Sequence, residues 1–237
     1  MSGDESSKSE DSPDNSNSEA LVLRNLSVGY NEPLVSQINS EILPGESIAI
    51  LGPSGIGKTT LLRTIAGLIR PLSGEVSHNY PERGGVGYIP QRLGLVRHST
   101  VRSNISIGAR TRRSKWLPFF FPLSKELKTD VESAMKSLNI EELADVPVRI
   151  LSGGQQRRVA IARTLIQKPR LILADEFLGE LDSENVDSII SATKKLVDDI
   201  GATLIMVEHH EERAIDLADR IWRISGNLLI EDGGSNQ

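Results

Sequence analysis

The chain has 237 residues, of which 38% are hydrophobic and 25% charged, proportions that fit one large α/β domain or at most two small ones. It contains no cysteine, which excludes disulfides, zinc–thiolate sites, iron–sulfur clusters and a cysteine nucleophile. The net charge is −5, but Asp4, Glu5, Glu10, Asp11, Asp14 and Glu19 against Lys8 account for it, and the balanced remainder offers no electrostatic case for a nucleic-acid partner.

Residues 1–19 are rich in Ser, Asp and Glu and have no apolar stretch. They lack the basic start and apolar middle of a secretory signal, and they read as a disordered, solvated tail ahead of one domain at 20–237. The longest apolar run, Trp116 to Leu123, contains two prolines and is too short to span a bilayer.

Leu21 to Tyr30 predicts a strand, and Ser47 to Leu51 a strand buried on both faces. The latter runs into Gly52-Pro53-Ser54-Gly55-Ile56-Gly57-Lys58-Thr59-Thr60. Leu61, Leu62, Ile65 and Leu68 then follow at helical spacing towards Pro71. Leu171 to Ala174 is a second buried strand, ending in Asp175-Glu176. A helix over 183–200 and a strand over 202–207 come next, the strand ending at Glu208-His209-His210. This βαβ rhythm predicts a parallel sheet whose working edge lies at the strand C-termini. Residues 220–230 predict a β-hairpin.

Gly52-x-x-x-x-Gly57-Lys58-Thr59 fits the P-loop pattern at every fixed position. Glycines let the backbone wrap a phosphate with its N–H groups inward, and the helix behind adds a positive dipole end. Lys58 would reach the β- and γ-phosphates and Thr59 would ligate Mg²⁺. A glycine-rich turn that binds nothing is the plainer alternative, but the strand before and helix after supply the context the motif requires. Asp175, at the end of an apolar strand, would reach Mg²⁺ through its water shell, and Glu176 would orient or deprotonate the attacking water. Alone, an Asp-Glu pair is just a strand end; beside a P-loop it becomes a metal-site carboxylate followed by a base.

Leu151-Ser152-Gly153-Gly154-Gln155, continued by Gln156-Arg157-Arg158-Val159-Ala160-Ile161-Ala162-Arg163, resembles the signature of ATP-binding-cassette (ABC) ATPases. That resemblance extends over most of Leu21 to Ile230. It implies an α/β fold: a P-loop NTPase cassette with a parallel core sheet, an antiparallel β subdomain and an inserted helical subdomain at about 92–155. It implies ATP and Mg²⁺ as ligands, held by Tyr30 (adenine stacking, about 1–3 kcal/mol per base in single-strand binders), residues 52–60, and Ser152, Gly153, Gly154 and Gln155 of the opposite subunit in a head-to-tail dimer. Gln91 resembles the glutamine loop, contacting Mg²⁺ and water; Asp182 resembles the end of the D-loop; His209 resembles the switch histidine that holds Glu176 and the water. Glu176, His209 and Gln91 are thus the expected catalytic set, and Thr59, Gln91 and Asp175 the expected metal set. The chain departs from the family pattern at Phe177 to Leu181, at Glu208 and at His210.

One cassette, with no fused membrane helices and no room for a long coiled coil, suits a separate ATPase subunit on the cytoplasmic face of the cell membrane. The resemblance implies two permease subunits as partners and, indirectly, a periplasmic or extracellular solute-binding protein. Asn104 to Arg110, the following tryptophan and Phe-Pro, and Leu173-Ala174-Asp175-Glu176 resemble the phosphonate-importer branch, so the expectation is solute import, with phosphonate as cargo. Other importers, lipoprotein-release or export ATPases, and a soluble non-transport ATPase remain the alternatives. Trp116, Phe119, Phe120 and Phe121, four of the nine aromatics, admit two readings: a local core of the helical subdomain, or an apolar docking surface with a basic rim of Arg110, Arg112, Arg113 and Lys115.

Overall fold

The strands of this chain alternate between two hydrophobic cores, and that alternation builds the domain. In a computed structural model, which describes residues 20–118, 121–176 and 186–232, β3 (Ser47–Leu51), β6 (Leu171–Asp175) and β7 (Thr203–Val207) are buried along their whole length. Ile48, Ile50, Leu171, Leu173, Ile205 and Val207 face one core; Ala49, Leu51, Ile172, Ala174, Leu204 and Met206 face the other. A period of two with both faces apolar is what a sheet covered by helices on each side requires.

Among the described residues nine strands form one sheet, in the order β4-β1-β2-β9-β8-β3-β7-β6-β5. β3, β5 (Val86–Ile89), β6, β7 and β8 (Arg220–Ser225) run parallel. β9 (Leu228–Asp232) returns antiparallel to β8 as the expected hairpin. β1 (Leu21–Gly29), β2 (Pro33–Ile42) and β4 (Ser73–Ser77) form an antiparallel wing that shares its core with α1 (Lys58–Ile65). The opposite core collects α2 (Val101–Ala109), α3 (Lys125–Ser137), α4 (Gly153–Leu165) and α6 (Glu211–Leu217), and α5 (Val186–Ile200) packs there through Val197.

The helical stretch between β5 and β6 starts each of its α-helices on a side-chain cap. Thr100 accepts from the Ser103 N–H, Ser124 from the Leu127 N–H, and Ser152 forms a reciprocal capping box with Gln155. Two residues on α2 explain how closely this stretch is packed. Asn104 is fully buried, with Oδ1 accepting from the Val96 N–H and Nδ2 donating to the Val96 and Thr100 carbonyls, so it pins the preceding turn to the helix. Gly108 lets α2 and α4 touch: a Cβ there would stand 2.0 Å from the Arg163 carbonyl oxygen. Of the residues from Asn104 to Arg110 that resemble a substrate branch, Asn104, Ile105, Gly108 and Ala109 are therefore packing residues.

The aromatic stretch does not form a local core where it is described. Trp116 is 85% exposed and Phe121 49% exposed. Phe119 and Phe120, the tail at 1–19 and Asp182 lie outside the described residues.

Candidate functional site

Because β3, β5, β6 and β7 are parallel neighbours, their C-terminal ends meet at one edge of the sheet. In register, Ile89 lies opposite Ala174, Asp175 opposite Val207, and Val207 opposite Ile50. The residues that follow these ends are the P-loop, Gln91, Glu176 and His209. Topology thus brings together groups up to 157 positions apart in sequence.

The loop between β3 and α1 depends on its glycines. Gly55 has φ +78° and Gly57, which caps α1, has φ +110°, both in the region closed to most side chains. A Cβ on Gly57 would also stand 2.8 Å from the Leu34 Cβ. Ile56 packs on the core below, so the loop turns its backbone, not its side chains, towards the cleft. Lys58 is only 5% exposed and folds over the loop, its Nζ donating to the carbonyls of Gly52 (2.6 Å) and Pro53 (2.8 Å). Burial pushes its pKa down, against the pull of Glu176 and Asp175, which raise it. An anion at the mouth of this loop would meet an ammonium, backbone N–H groups and a helix N-terminus.

A cleft of about 420 Å³ opens over the loop, lined by Tyr30, Leu34, Ser54, Gly55, Gly57, Lys58, Thr59, Thr60, Gln91 and Glu176. Tyr30, just past the end of β1, is 63% exposed and offers an unburied ring at its rim. Thr59 Oγ1 donates to Asp175 Oδ1 at 3.0 Å. Asp175 is 1% exposed and its Oδ2 is buried with no hydrogen-bond partner. Burial raises its pKa, as does Glu176; the Thr59 hydrogen bond, the Arg63 charge and the nearby Tyr88 hydroxyl lower it. A buried carboxylate oxygen without a partner, beside a threonine hydroxyl, is an all-oxygen donor set. It fits a hard dication such as Mg²⁺.

Glu176 is clamped at both oxygens. Gln91 Nε2 donates to Oε2 at 2.6 Å and His209 Nε2 lies 2.6 Å from Oε1, where against an ionised carboxylate the ring nitrogen is the donor. Its backbone is left-handed (φ +52°), its N–H donates to the Val207 carbonyl, and its own carbonyl accepts from Arg157. The carboxylate is thereby held over the cleft with a lone pair on each oxygen still available to a water.

The sequence pointed to Tyr30, residues 52–60, Gln91, Asp175, Glu176 and His209, and the fold brings these together. Ser152, Gly153, Gly154 and Gln155 do not join them. They form the first turn of α4, and none of them lines the P-loop cleft. Gly153 instead borders a neighbouring cleft with Gln91, Gln156 and Arg157. A Cβ on Gly153 would meet nothing within 4 Å, so this turn is open to an incoming surface. His210, the neighbour of His209, is exposed and makes no cap for α6.

Two residues of consequence were not picked out from sequence. Arg157 is buried and donates to the Glu176 carbonyl; Arg163, also on α4, holds the carbonyls of Leu93 (2.7 Å) and Gly94 (2.8 Å) just after Gln91. The available signal was an arginine either side of the buried run Val159 to Ala162. Arginine beside a buried face implies carbonyls to bind, because a guanidinium has donors only.

Residues 35–179 match the family model described as ABC transporter. The chain is 38% identical over 220 residues to the molybdate/tungstate import ATP-binding protein of Pyrococcus horikoshii, covering 90% of this chain and 61% of that protein. It is 37% identical to the spermidine/putrescine import ATP-binding protein of Spiroplasma citri (92% and 60%) and 36% identical to the sulfate/thiosulfate import ATP-binding protein of Pseudomonas aeruginosa (92% and 68%). The chain thus spans about 60% of the length of the first two relatives. Among solved structures, a dimeric ATP-binding cassette in a post-hydrolysis state bound to ADP and Pi superposes with a TM-score of 0.78 at 28% identity, covering 92% of this chain and all of that one. The cbiO1 component of an ABC transporter complex from Clostridium perfringens gives 0.76 at 28% identity, covering 92% and 89%.

Proposed function

Because the chain belongs to the ABC transporter family, we propose that it is the ATP-binding and ATP-hydrolysing subunit of a solute importer. The observation that carries this is the clamp on Glu176, with its oxygens held by Gln91 and His209 above a P-loop cleft.

In this reading Tyr30 stacks on the adenine. The loop from Gly52 to Thr60 cradles the phosphates with its N–H groups, and Lys58 leaves the Gly52 and Pro53 carbonyls for the β- and γ-phosphates. Thr59, Asp175 and Gln91 would hold Mg²⁺, which would supply neutralisation of the charge developing on the phosphate. Glu176 takes a proton from the attacking water. His209 keeps Glu176 in line and meets the γ-phosphate, and Gln91 reports its presence to the helical stretch after it. Ser152, Gly153, Gly154 and Gln155 close on the γ-phosphate of a second copy in a head-to-tail dimer, with Asp182 at the dimer contact. Two permease subunits and, through them, a solute-binding protein complete the importer at the cytoplasmic face of the membrane. The helical stretch at about 92–155 acts as the subdomain that meets the permeases.

Import is supported by the names of the relatives, which span molybdate, polyamine and sulfate. The phosphonate expectation rested on Asn104 to Arg110, the aromatic stretch and Leu173 to Glu176, and Asn104 and Gly108 have packing roles that any cargo would tolerate. We therefore infer a small solute and assign the choice of solute to the permease side. Purified protein should hydrolyse ATP only with Mg²⁺, and Lys58→Ala should abolish both ATP binding and turnover. ATP binding by Lys58→Ala equal to the unaltered chain would refute the placement of the nucleotide.

A further inference from the structure

We propose that the turn from Arg113 to Leu117, together with Phe121, is a contact surface for an anionic lipid bilayer. Three apolar side chains stand in water here: Trp116 at 85% exposure, Phe121 at 49% and Leu117 at 43%. Between positions 110 and 118 there are four basic residues and no acidic one. Arg112 is engaged by Asp130 at 2.5 Å. Lys115 lies over the Trp116 ring, its Nζ 5.8 Å from the centroid. Arg113 donates from Nη1 to the Phe121 carbonyl at 2.8 Å, while its Nη2 is buried with no hydrogen-bond partner. Arg112, Arg113, Ser114, Leu117 and Phe121 line a cleft of about 470 Å³, and among the described residues lining it Glu126 is the one acidic side chain.

These observations fit one kind of partner. A lone tryptophan with an adjacent lysine is the arrangement that settles at the headgroup level of a bilayer, ring inward and charge outward. Cations of one sign, clustered on a neutral body, match the fixed negative potential of the inner leaflet. The patch shares no residue with the P-loop cleft, so it stands or fails independently of the nucleotide reading.

The test uses the full chain at low salt with phosphatidylcholine vesicles, with and without phosphatidylglycerol. Trp222, the other tryptophan, is fully buried, so any change in emission on binding reports Trp116. The expected result is co-sedimentation with the anionic vesicles only, a blue shift, and release by added salt. Lys115→Gln, an exposed change that cannot unfold the chain, should weaken binding about fivefold, and Trp116→Ser should abolish the shift. Chain left in the supernatant, sedimentation with unshifted emission, or unchanged binding by both variants would overturn the proposal. Capture only by vesicles bearing a permease would overturn it too, by giving the patch a protein partner.

Discussion

Glu176 has a left-handed backbone (φ +52°), which costs a residue with a side chain about 1–3 kcal/mol and persists only where neighbours over-determine it. The neighbours here are the Val207 carbonyl, Arg157, Gln91 and His209. Replacing Glu176 by Gln keeps the shape and most of these bonds but removes the base. ATP binding should survive and turnover should fall by about 10²–10⁴-fold, measured as single-turnover hydrolysis; near-normal hydrolysis would move the base elsewhere. Asp175 allows a test with a definite sign. Burial raises its pKa, so the folded chain holds its proton more tightly than the unfolded chain does. Stability therefore falls as pH rises through the two values, and above them the buried charge is a constant penalty. Asp175→Asn should raise the melting temperature of the nucleotide-free protein at neutral pH, by about 2–4 °C per kcal/mol removed, and the gain should vanish on acidification through the carboxylate range. The same variant should lose Mg²⁺-dependent turnover. A melting temperature at or below that of the unaltered chain at pH 7 would mean that the charged form is better satisfied than the orphan Oδ2 implies.

At the scale of elements, α4 ties the site together. Its first turn carries Ser152 to Gln155, its middle holds the Glu176 carbonyl through Arg157, and its last turn holds the strand-end loop after Gln91 through Arg163. Arg157→Ala should lower kcat while leaving ATP affinity near normal, and Arg157→Lys should restore part of the loss, because one donor is enough to reach a carbonyl. Equal losses in both variants, with affinity falling in step, would point to simple destabilisation. Such links were not legible in the sequence, whereas β3, β6, β7 and the hairpin were, because their apolar runs have no competing period. β2 hid itself. Its buried residues Val35, Ile38 and Ile42 are spaced three and four apart, a helical pattern, because Gln37 sits at φ +56° and the pairing with β1 shifts register nearby. β4 is an edge strand with only Val76 half-buried, so it carries no hydrophobic signal at all. For the site the position was reversed: Tyr30, the P-loop residues, Glu176 and His209 follow a strand end or a glycine loop that the sequence marks, while Gln91 came only through the family resemblance and Leu34, on β2, was not marked. The aromatic stretch left two readings open because composition cannot say which side of a proline-broken turn faces water.

Over the whole molecule, the separation between the first turn of α4 and the P-loop cleft is the fact to be explained. One copy presents a phosphate cradle at one place and an open Ser-Gly-Gly turn at another, and both are anion-directed by the same physics of helix N-termini. A two-fold dimer in which each turn closes the other copy's cleft satisfies both at once and builds two equivalent sites. This arrangement predicts complementation. Lys58→Ala spoils the cradle and spares the turn; Gly153→Asp spoils the turn by placing a carboxylate where the phosphate charge must sit, in space that is otherwise open. Each variant alone should be inactive. In a mixed dimer one site inherits both faults, while the other pairs an intact cradle with an intact turn. An equimolar mixture should therefore recover about a quarter of normal ATPase activity, since half the dimers are mixed and each has one good site. The recovery should appear only after the two proteins are combined and should grow with total concentration. An inactive mixture, in the presence of mixed dimers detected by differently tagged copies, would show that the two surfaces do not meet across the dimer.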